Sequence, residues 1–325
     1  MLTAIYNHYR LLFKPWVYHR AGYRDFFFEG WFYKLVNRER TEVVAIIPAV
    51  VKGEDPKCFI QLLNGSSHKS AVVFDDISTM QAAKNSFEVK IGENFFSMDS
   101  LQLNIKGDIN LSGSLKLTNH SPFQPSAFSP NVMGWYSYVP LMECNHAILS
   151  MSSNIEGKLL LDLREIDFTG GKAYLEKDWG SSFPEGYIWC QSNHFNGGDT
   201  SFMFSVAKIP WLFSSFIGFL SVFQHEGKQY NFATWNGAML KHLSVTEEKV
   251  EVAMQISDLK LEFTIDRAPA GELIAPYIMN GLTKVTESLT SIIHITLKKG
   301  SQTIFSGTGT HTGLDINGRL ECIVI

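Results

Sequence analysis

The sequence predicts an all-β protein, a barrel or a sandwich. Three observations carry this. Short runs of β-branched and aromatic residues recur along the chain, many alternate with period two, and Gly, Asn, Asp and Pro punctuate them. No long amphipathic helical pattern competes with them.

In chain order, "MLTAIYNHYRLLFKPW" predicts a short helix near Thr3–Leu12. Asn7, His8, Arg10 and Lys14 interrupt its apolar character, so no secretory signal is expected. "FFFEGWFYKL" (26–35) then opens a series of strands at 42–51, 58–64, 70–77, 86–92, 101–119 and 158–168. Gly170-Gly171 predicts a turn, and the division into two lobes is placed there, as 1–168 and 169–325. The second lobe opens on "AYLEKDWGSSFP" (173–184) and "YIWCQSNHF" (187–195). The most apolar run, "IPWLFSSFIGFLSVF" (209–223), holds 15 residues, too few for a membrane-spanning helix of about 20. It reads as a loop leading into a buried strand; the sharper alternative is an apolar lip touching a membrane surface or admitting a lipid. Further strands are expected at 249–267, 291–300 and 319–325, with a short helix at 276–289.

The composition fits an ordered globular chain: 45% of its 325 residues are hydrophobic and 18% charged. Its 24 Phe and 7 Trp suit a large core or an apolar pocket. The net charge is -4 without a basic tract, which excludes nucleic acid as an expected partner. Cys58, Cys144, Cys190 and Cys322 are far apart and predict free thiols in a reducing, cytoplasmic compartment. No nucleophile elbow, phosphate loop or metal-ligand spacing occurs, so hydrolysis, phosphoryl transfer and zinc chemistry find no support, and no metal is expected.

Strand geometry sorts the unusual residues by face. Tyr174, Glu176 and Asp178 share one face of 173–179; Ala173, Leu175, Lys177 and Trp179 share the other. Lys177 is therefore read as structural. In the next strand Tyr187, Trp189, Gln191, Asn193 and Phe195 fall together, and in the early stretch Phe27, Glu29, Trp31 and Tyr33 do. Aromatic walls with a few neutral amides are the make-up of a ligand pocket. If these faces point inward, one barrel interior carries Glu29, Glu176, Gln191 and Asn193 among aromatic rings. The plainer reading has the indoles in the core, the carboxylates on solvated faces, Glu176 and Lys177 as a surface pair, and His146 and His194 as structural histidines.

These same residues resemble the tocopherol cyclase family. "FFFEGWFYKL" is similar to its early "FFEGWYF" stretch. "AYLEKDWGSSFPEGYIWCQSNHF" is similar to its "Y-x-EK-x-WG-x-x-FP" followed by "W-x-Q-x-N-x-F". "YNFATWNGAM" and "LIAPYIMNGL" match later stretches, so the resemblance runs from about Tyr23 to Leu297. It implies two lipocalin-like antiparallel β lobes, barrels or sandwiches, and closure of a prenylated benzoquinol to a chromanol without a cofactor. Asp178 stands where plant-type members carry Asn, and His194 where they carry an apolar residue, so neither is expected to be essential. His146 falls near a family histidine.

Closing the ring needs a proton on the prenyl double bond and capture of the tertiary cation by a phenolic oxygen. A carboxyl group kept neutral by an apolar pocket can donate it. Glu176 is the first candidate for the acid and Glu29 the second. Trp31, Trp179 and Trp189 would face the cation in one cavity. Gln191, Asn193, Tyr174 and His146 complete the expected binding set. The expected partner is an apolar small molecule such as a prenylated quinol, with peripheral membrane contact as an accompanying expectation. The alternatives are hydration or pericyclic closure of another isoprenoid or polyene, and non-catalytic carriage of a prenyl lipid or quinone.

Overall fold

Alternation of apolar and polar side chains turns directly into paired strands here. Glu88–Ile91 ("EVKI") exposes Glu88 and Lys90 and buries Val89 and Ile91. The chain is seen in a computed structural model that describes residues 2–19, 26–140, 142–211, 214–277 and 281–324.

Helix α1 (Leu2–Leu11) comes first, as expected. Twelve strands follow that form one antiparallel sheet. They are β1 Phe27–Val36, β2 Val43–Lys52, β3 Lys57–Asn64, β4 Lys69–Asp76, β5 Met80–Ala82, β6 Glu88–Ile91, β7 Asn94–Ser97, β8 Ser100–Ile105, β9 Leu111–Thr118, β10 Cys144–Leu161, β11 Arg164–Asp167 and β12 Lys172–Gly180. Their order is β4-β3-β2-β1-β12-β10-β9-β8-β7-β6-β5, with β11 on β10. The late strand β12 is thus inserted between β1 and β10, which joins the two family-like stretches side by side.

A second sheet of ten strands contains β13 Gly186–Ser192, β14 Thr200–Trp211, β15 Ser214–His225, β16 Lys228–Ala233, β17 Met239–Val245, β18 Lys249–Ile256, β19 Leu259–Asp266, β20 Gly271–Tyr277, β21 Gly281–Lys299 and β22 Gln302–Gly318. Its order is β16-β15-β14-β13-β22-β21-β19-β18-β17, with β20 on β21.

Each sheet surrounds its own core. The first core contains Trp31, Tyr33, Leu35, Phe96, Leu175 and Trp179. The second contains Ile188, Cys190, Phe202, Phe204, Phe263 and Leu314. The chain divides into two compact units, 1–183 with 272–284 and 184–271 with 285–325. Position 168 lies in the first unit, just before the turn at Gly170, whose φ of +80° suits glycine.

The segment 272–284 is fastened within the first unit. Gln61 Nε2 donates to the Ile274 carbonyl at 2.9 Å, and the Ile274 N–H donates to Gln61 Oε1 at 2.7 Å. The Phe183 N–H donates to the Pro276 carbonyl at 2.8 Å. Ile274 and Leu282 pack on a small apolar cluster of Phe28, Ala49, Val51 and Phe59.

Two expected elements are corrected. Instead of a helix at 276–289, strand runs to Tyr277 and resumes at Gly281; the β-branched Thr283, Val285 and Thr286 favour the extended chain. The strand expected at 319–325 is not seen among the described residues 319–324: Leu320–Cys322 is a 3-10 turn that seats Ile323 in the second core. Of the apolar run 209–223, which was expected to begin as a loop, residues 209–211 end β14 and 214–223 lie in β15, with Ser214 and Ser215 exposed; 212 and 213 lie outside the described residues. The four cysteines are free, Cys58 and Cys190 buried. No helix among the described residues is long and apolar enough to cross a membrane.

Candidate active site

Register decides which charged residues meet. In the β1–β12 pair, Glu29 lies opposite Trp179, Trp31 opposite Lys177, and Phe32 opposite Glu176. Directly paired residues project to the same face. Glu29, Trp31, Lys177 and Trp179 therefore occupy one face; Phe32, Tyr174, Glu176 and Asp178 occupy the other. The expectation that Glu29 and Glu176 share one interior is corrected by this parity: they stand on opposite sides of the same strands.

Glu29 and Lys177 lie on the core side, with side chains 0% exposed, and form an ion pair. Lys177 Nζ also donates to the carbonyls of Pro15 and Val17 at 2.9 and 2.6 Å and lies 2.7 Å from His19 Nδ1. Its ammonium sits 5.2 Å from the centre of the Trp31 ring and 4.9 Å from that of Trp179. The His19 N–H donates to Glu29 Oε1 at 2.9 Å, and its ring stacks on Trp179 at 4.5 Å. Burial and the Lys177 charge push the His19 pKa down to about 4, so the imidazole is neutral and accepts from the ammonium. Burial pulls Lys177 down to about 8 against the attraction of Glu29. Burial works to raise the pKa of Glu29, but Lys177 and His19 outweigh it and hold the carboxyl below its ordinary value. Glu29 is an ionised partner of Lys177, and at neutral pH it has no proton to give.

The other face carries a different set. Strand pairing puts His146 of β10 opposite Asp178. His146 Nδ1 lies 2.7 Å from Asp178 Oδ1, and Nε2 lies 3.5 Å from Glu176 Oε2. The Tyr174 hydroxyl donates to Glu176 Oε2 at 2.5 Å. The three side chains of His146, Glu176 and Asp178 are 12%, 6% and 23% exposed. Burial lowers the His146 pKa, but the charges of Glu176 and Asp178 and the bond to Asp178 overcome it and raise it to about 9. The imidazole is thus charged at neutral pH. Among the described residues these three are also the one group whose donors, all within 4.8 Å of one another, could enclose a metal ion. Each ring nitrogen of His146 faces a carboxylate.

The remaining expected residues belong to the second unit. Tyr187, Trp189 and Gln191 of β13 are buried on the face opposite Ile188 and Cys190, which enter the core. Trp189 pairs with Asp315 and Gln191 with Gly313. A Cβ at Gly313 would lie 2.8 Å from the Trp189 ring, so the indole requires glycine there. Tyr187 donates to Asp315 Oδ2 at 2.9 Å. Asn193 and His194 are buried beyond the strand end. Phe195 was expected on the Trp189 face and is instead a core residue beside Gly309, because β13 ends at Ser192 and the alternation stops. Trp31 and Trp179 are core residues of the first unit, so the three indoles do not share one core.

A sequence profile described as tocopherol cyclase-like matches residues 122–318, which include β10, β12 and β13. The chain belongs to the tocopherol cyclase-like family. Among curated relatives, it is 29% identical over 114 residues to the "probable tocopherol cyclase, chloroplastic" of Oryza sativa subsp. japonica, covering 33% of this chain and 23% of that protein. It is 28% identical over 114 residues to the "tocopherol cyclase, chloroplastic" of Zea mays, with the same coverage. The match thus spans less than a quarter of the length of these plant proteins. Among solved structures, CghA aligns with a TM-score of 0.60 at 8% identity over 90% of this chain and 88% of that one. Kievitone hydratase of Nectria haematococca aligns with a TM-score of 0.54 at 11% identity over 90% and 89%. These likenesses bear out the fold, a pair of lipocalin-like antiparallel β lobes.

In this tocopherol cyclase-like chain, Asp178 is the closest partner of His146, although its departure from the plant pattern had argued against a role. His19, Glu287 and Asp315 were not foreseen. His19 reaches the core from an irregular segment with no pattern to betray it. Asp315 and Glu287 pair across β21 and β22, and only the alternation of those strands hints at them.

Proposed function

We propose that this chain closes a prenylated benzoquinol to a chromanol, with Glu176 as the proton donor. The observation that supports it is the cluster on the outer face of β10 and β12: Glu176 held by the Tyr174 hydroxyl and beside a His146 imidazolium. Both neighbours stabilise the carboxylate that remains once Glu176 has given up a proton. At neutral pH the cluster has one positive ring and two carboxyl groups. With His146 charged by the two carboxylates, the cluster carries one net negative charge, which an apolar substrate covering it disfavours, so Glu176 takes up its proton as the substrate binds.

The proton moves from Glu176 to the alkene carbon, leaving a tertiary cation. The phenolic oxygen attacks that cation, and the phenol's proton returns to the cluster. Product and substrate are isomers, and the acid is restored. The indole-rich core is not required as the cation's partner, because Trp31 and Trp179 already flank Lys177.

Incubation with a prenylated, methylated hydroquinone in deuterated water, without oxygen, tests this. The expected product is ring-closed and carries one deuterium on carbon. Glu176→Gln is expected to keep its circular dichroism spectrum and lose about 10²- to 10⁴-fold in rate, while His194→Ala stays active. Closure without carbon-bound deuterium, or a fully active Glu176→Gln, overturns the reading. Water added across the alkene identifies a hydratase instead. A no-enzyme control corrects for spontaneous closure.

A further inference from the structure

Helix α1 turns two different faces to its surroundings. Leu11 and Leu12, at its end, are buried. Tyr6, Tyr9 and Phe13 are 67%, 50% and 50% exposed. Tyr6, Tyr9 and the exposed Arg10 recur at i, i+3 and i+4, one face of the helix, and Phe13 follows in the turn after its end at Leu11. The Tyr9 hydroxyl donates to the Tyr138 carbonyl at 3.1 Å, and the Tyr138 hydroxyl donates to the Ala127 carbonyl. These bonds bring a second exposed pair alongside: Phe128, 82% exposed, and Trp135, 43% exposed.

The patch is also free of negative charge. The sequence has no Asp or Glu between positions 1 and 24 or between 109 and 142, in a chain whose net charge is -4. Arg10 and Lys14 are both exposed beside the rings. Exposed Trp, Tyr and Phe with flanking basic residues fit the boundary between headgroups and acyl chains, where rings enter and cations stay with the phosphates.

We infer that Tyr6, Tyr9, Phe13, Phe128 and Trp135, with Arg10 and Lys14, form a docking surface for an anionic lipid bilayer. The surface lies within the first unit and stands whether or not the chain is a cyclase. A protein face of the same apolar character would lack the reason for this one-sided charge.

Flotation of the full-length protein with extruded vesicles tests it, using phosphatidylcholine alone and phosphatidylcholine mixed with phosphatidylglycerol. Wild type is expected to float with the mixed vesicles and to remain largely in solution with phosphatidylcholine alone. Phe128→Ser, at a site too exposed to matter for folding, is expected to lower partitioning about fivefold. Tyr9→Ser with Phe13→Ser is expected to lower it about tenfold. Arg10→Glu with Lys14→Glu is expected to abolish the preference for phosphatidylglycerol, each basic residue contributing about fivefold. Absence of wild-type flotation on the mixed vesicles overturns the inference, as does flotation that Phe128→Ser leaves unchanged. A concentration-dependent dimer in analytical ultracentrifugation that Phe128→Ser dissolves would assign the patch to a second copy and overturn it too.

Discussion

The two faces of β1, β10 and β12 carry the same kinds of group to different ends. On the core side an ammonium, a carboxylate and a neutral imidazole balance one another, with Glu29 and Lys177 closed off from water. Two carbonyls and two indoles occupy the rest of the ammonium's surroundings. On the opposite side one imidazolium serves two carboxylates, and Asp178 is 23% exposed. The first set is neutral and saturated, and it ties 15–19 to the sheet. The second has a surplus carboxylate and a route to solvent. A charged residue beside an indole is therefore a poor marker of chemistry; charge balance and access mark it better.

The sharpest way to break this contrast is Lys177→Met. It leaves Glu29 buried without its cation and is expected to cost about 3–5 kcal/mol of stability, measured by urea unfolding. Glu29→Gln added to it should recover a large part of that loss. A neutral single variant would mean that the core-side pair is not the tie described.

Titration of the other face comes next. The folded pKa of His146, about 9, is raised above its ordinary 6.5. Its contribution is therefore fully present below 6.5 and is lost as pH rises through about 9, on the order of 3 kcal/mol in all. Unfolding curves across this window should show the loss, and His146→Gln should flatten it. A histidine NMR titration with an unshifted His146 would remove the imidazolium from the cluster.

The smallest effect expected is that of Tyr174→Phe. It removes one hydrogen bond to a carboxylate, about 2 kcal/mol or roughly thirtyfold in turnover, with the fold unchanged. Unchanged turnover would show that the hydroxyl does not tune Glu176.

Within a strand, face assignments were legible, because a period of two needs no partner. Tyr174, Glu176 and Asp178 do share a face, and Lys177 does lie opposite them. Across strands they were not legible. Whether residue 29 projects with 176 or with 177 depends on a pairing between segments far apart in the chain, and a shift by one residue reverses it. The same ignorance hid the meeting of His146 with Asp178. The helix expected at 276–289 went against the segment's own Thr and Val residues, which argue for a strand, as do Pro276 and Gly281, which interrupt a helix. His19 lies in no periodic element and could only be found by its contacts.

The chain leaves the first unit at 183, returns to it at 272 and leaves again at 284. During synthesis, then, the first unit cannot be finished when its own sheet has emerged from the ribosome. Gln61 and the Phe183 N–H must wait, solvated, for Ile274 and Pro276, which arrive only after much of the second unit has been made. Contacts of such long sequence separation form late. A nascent chain arrested between 184 and 271 should hold a first unit that lacks this last fastening, and one arrested beyond 284 should hold it complete.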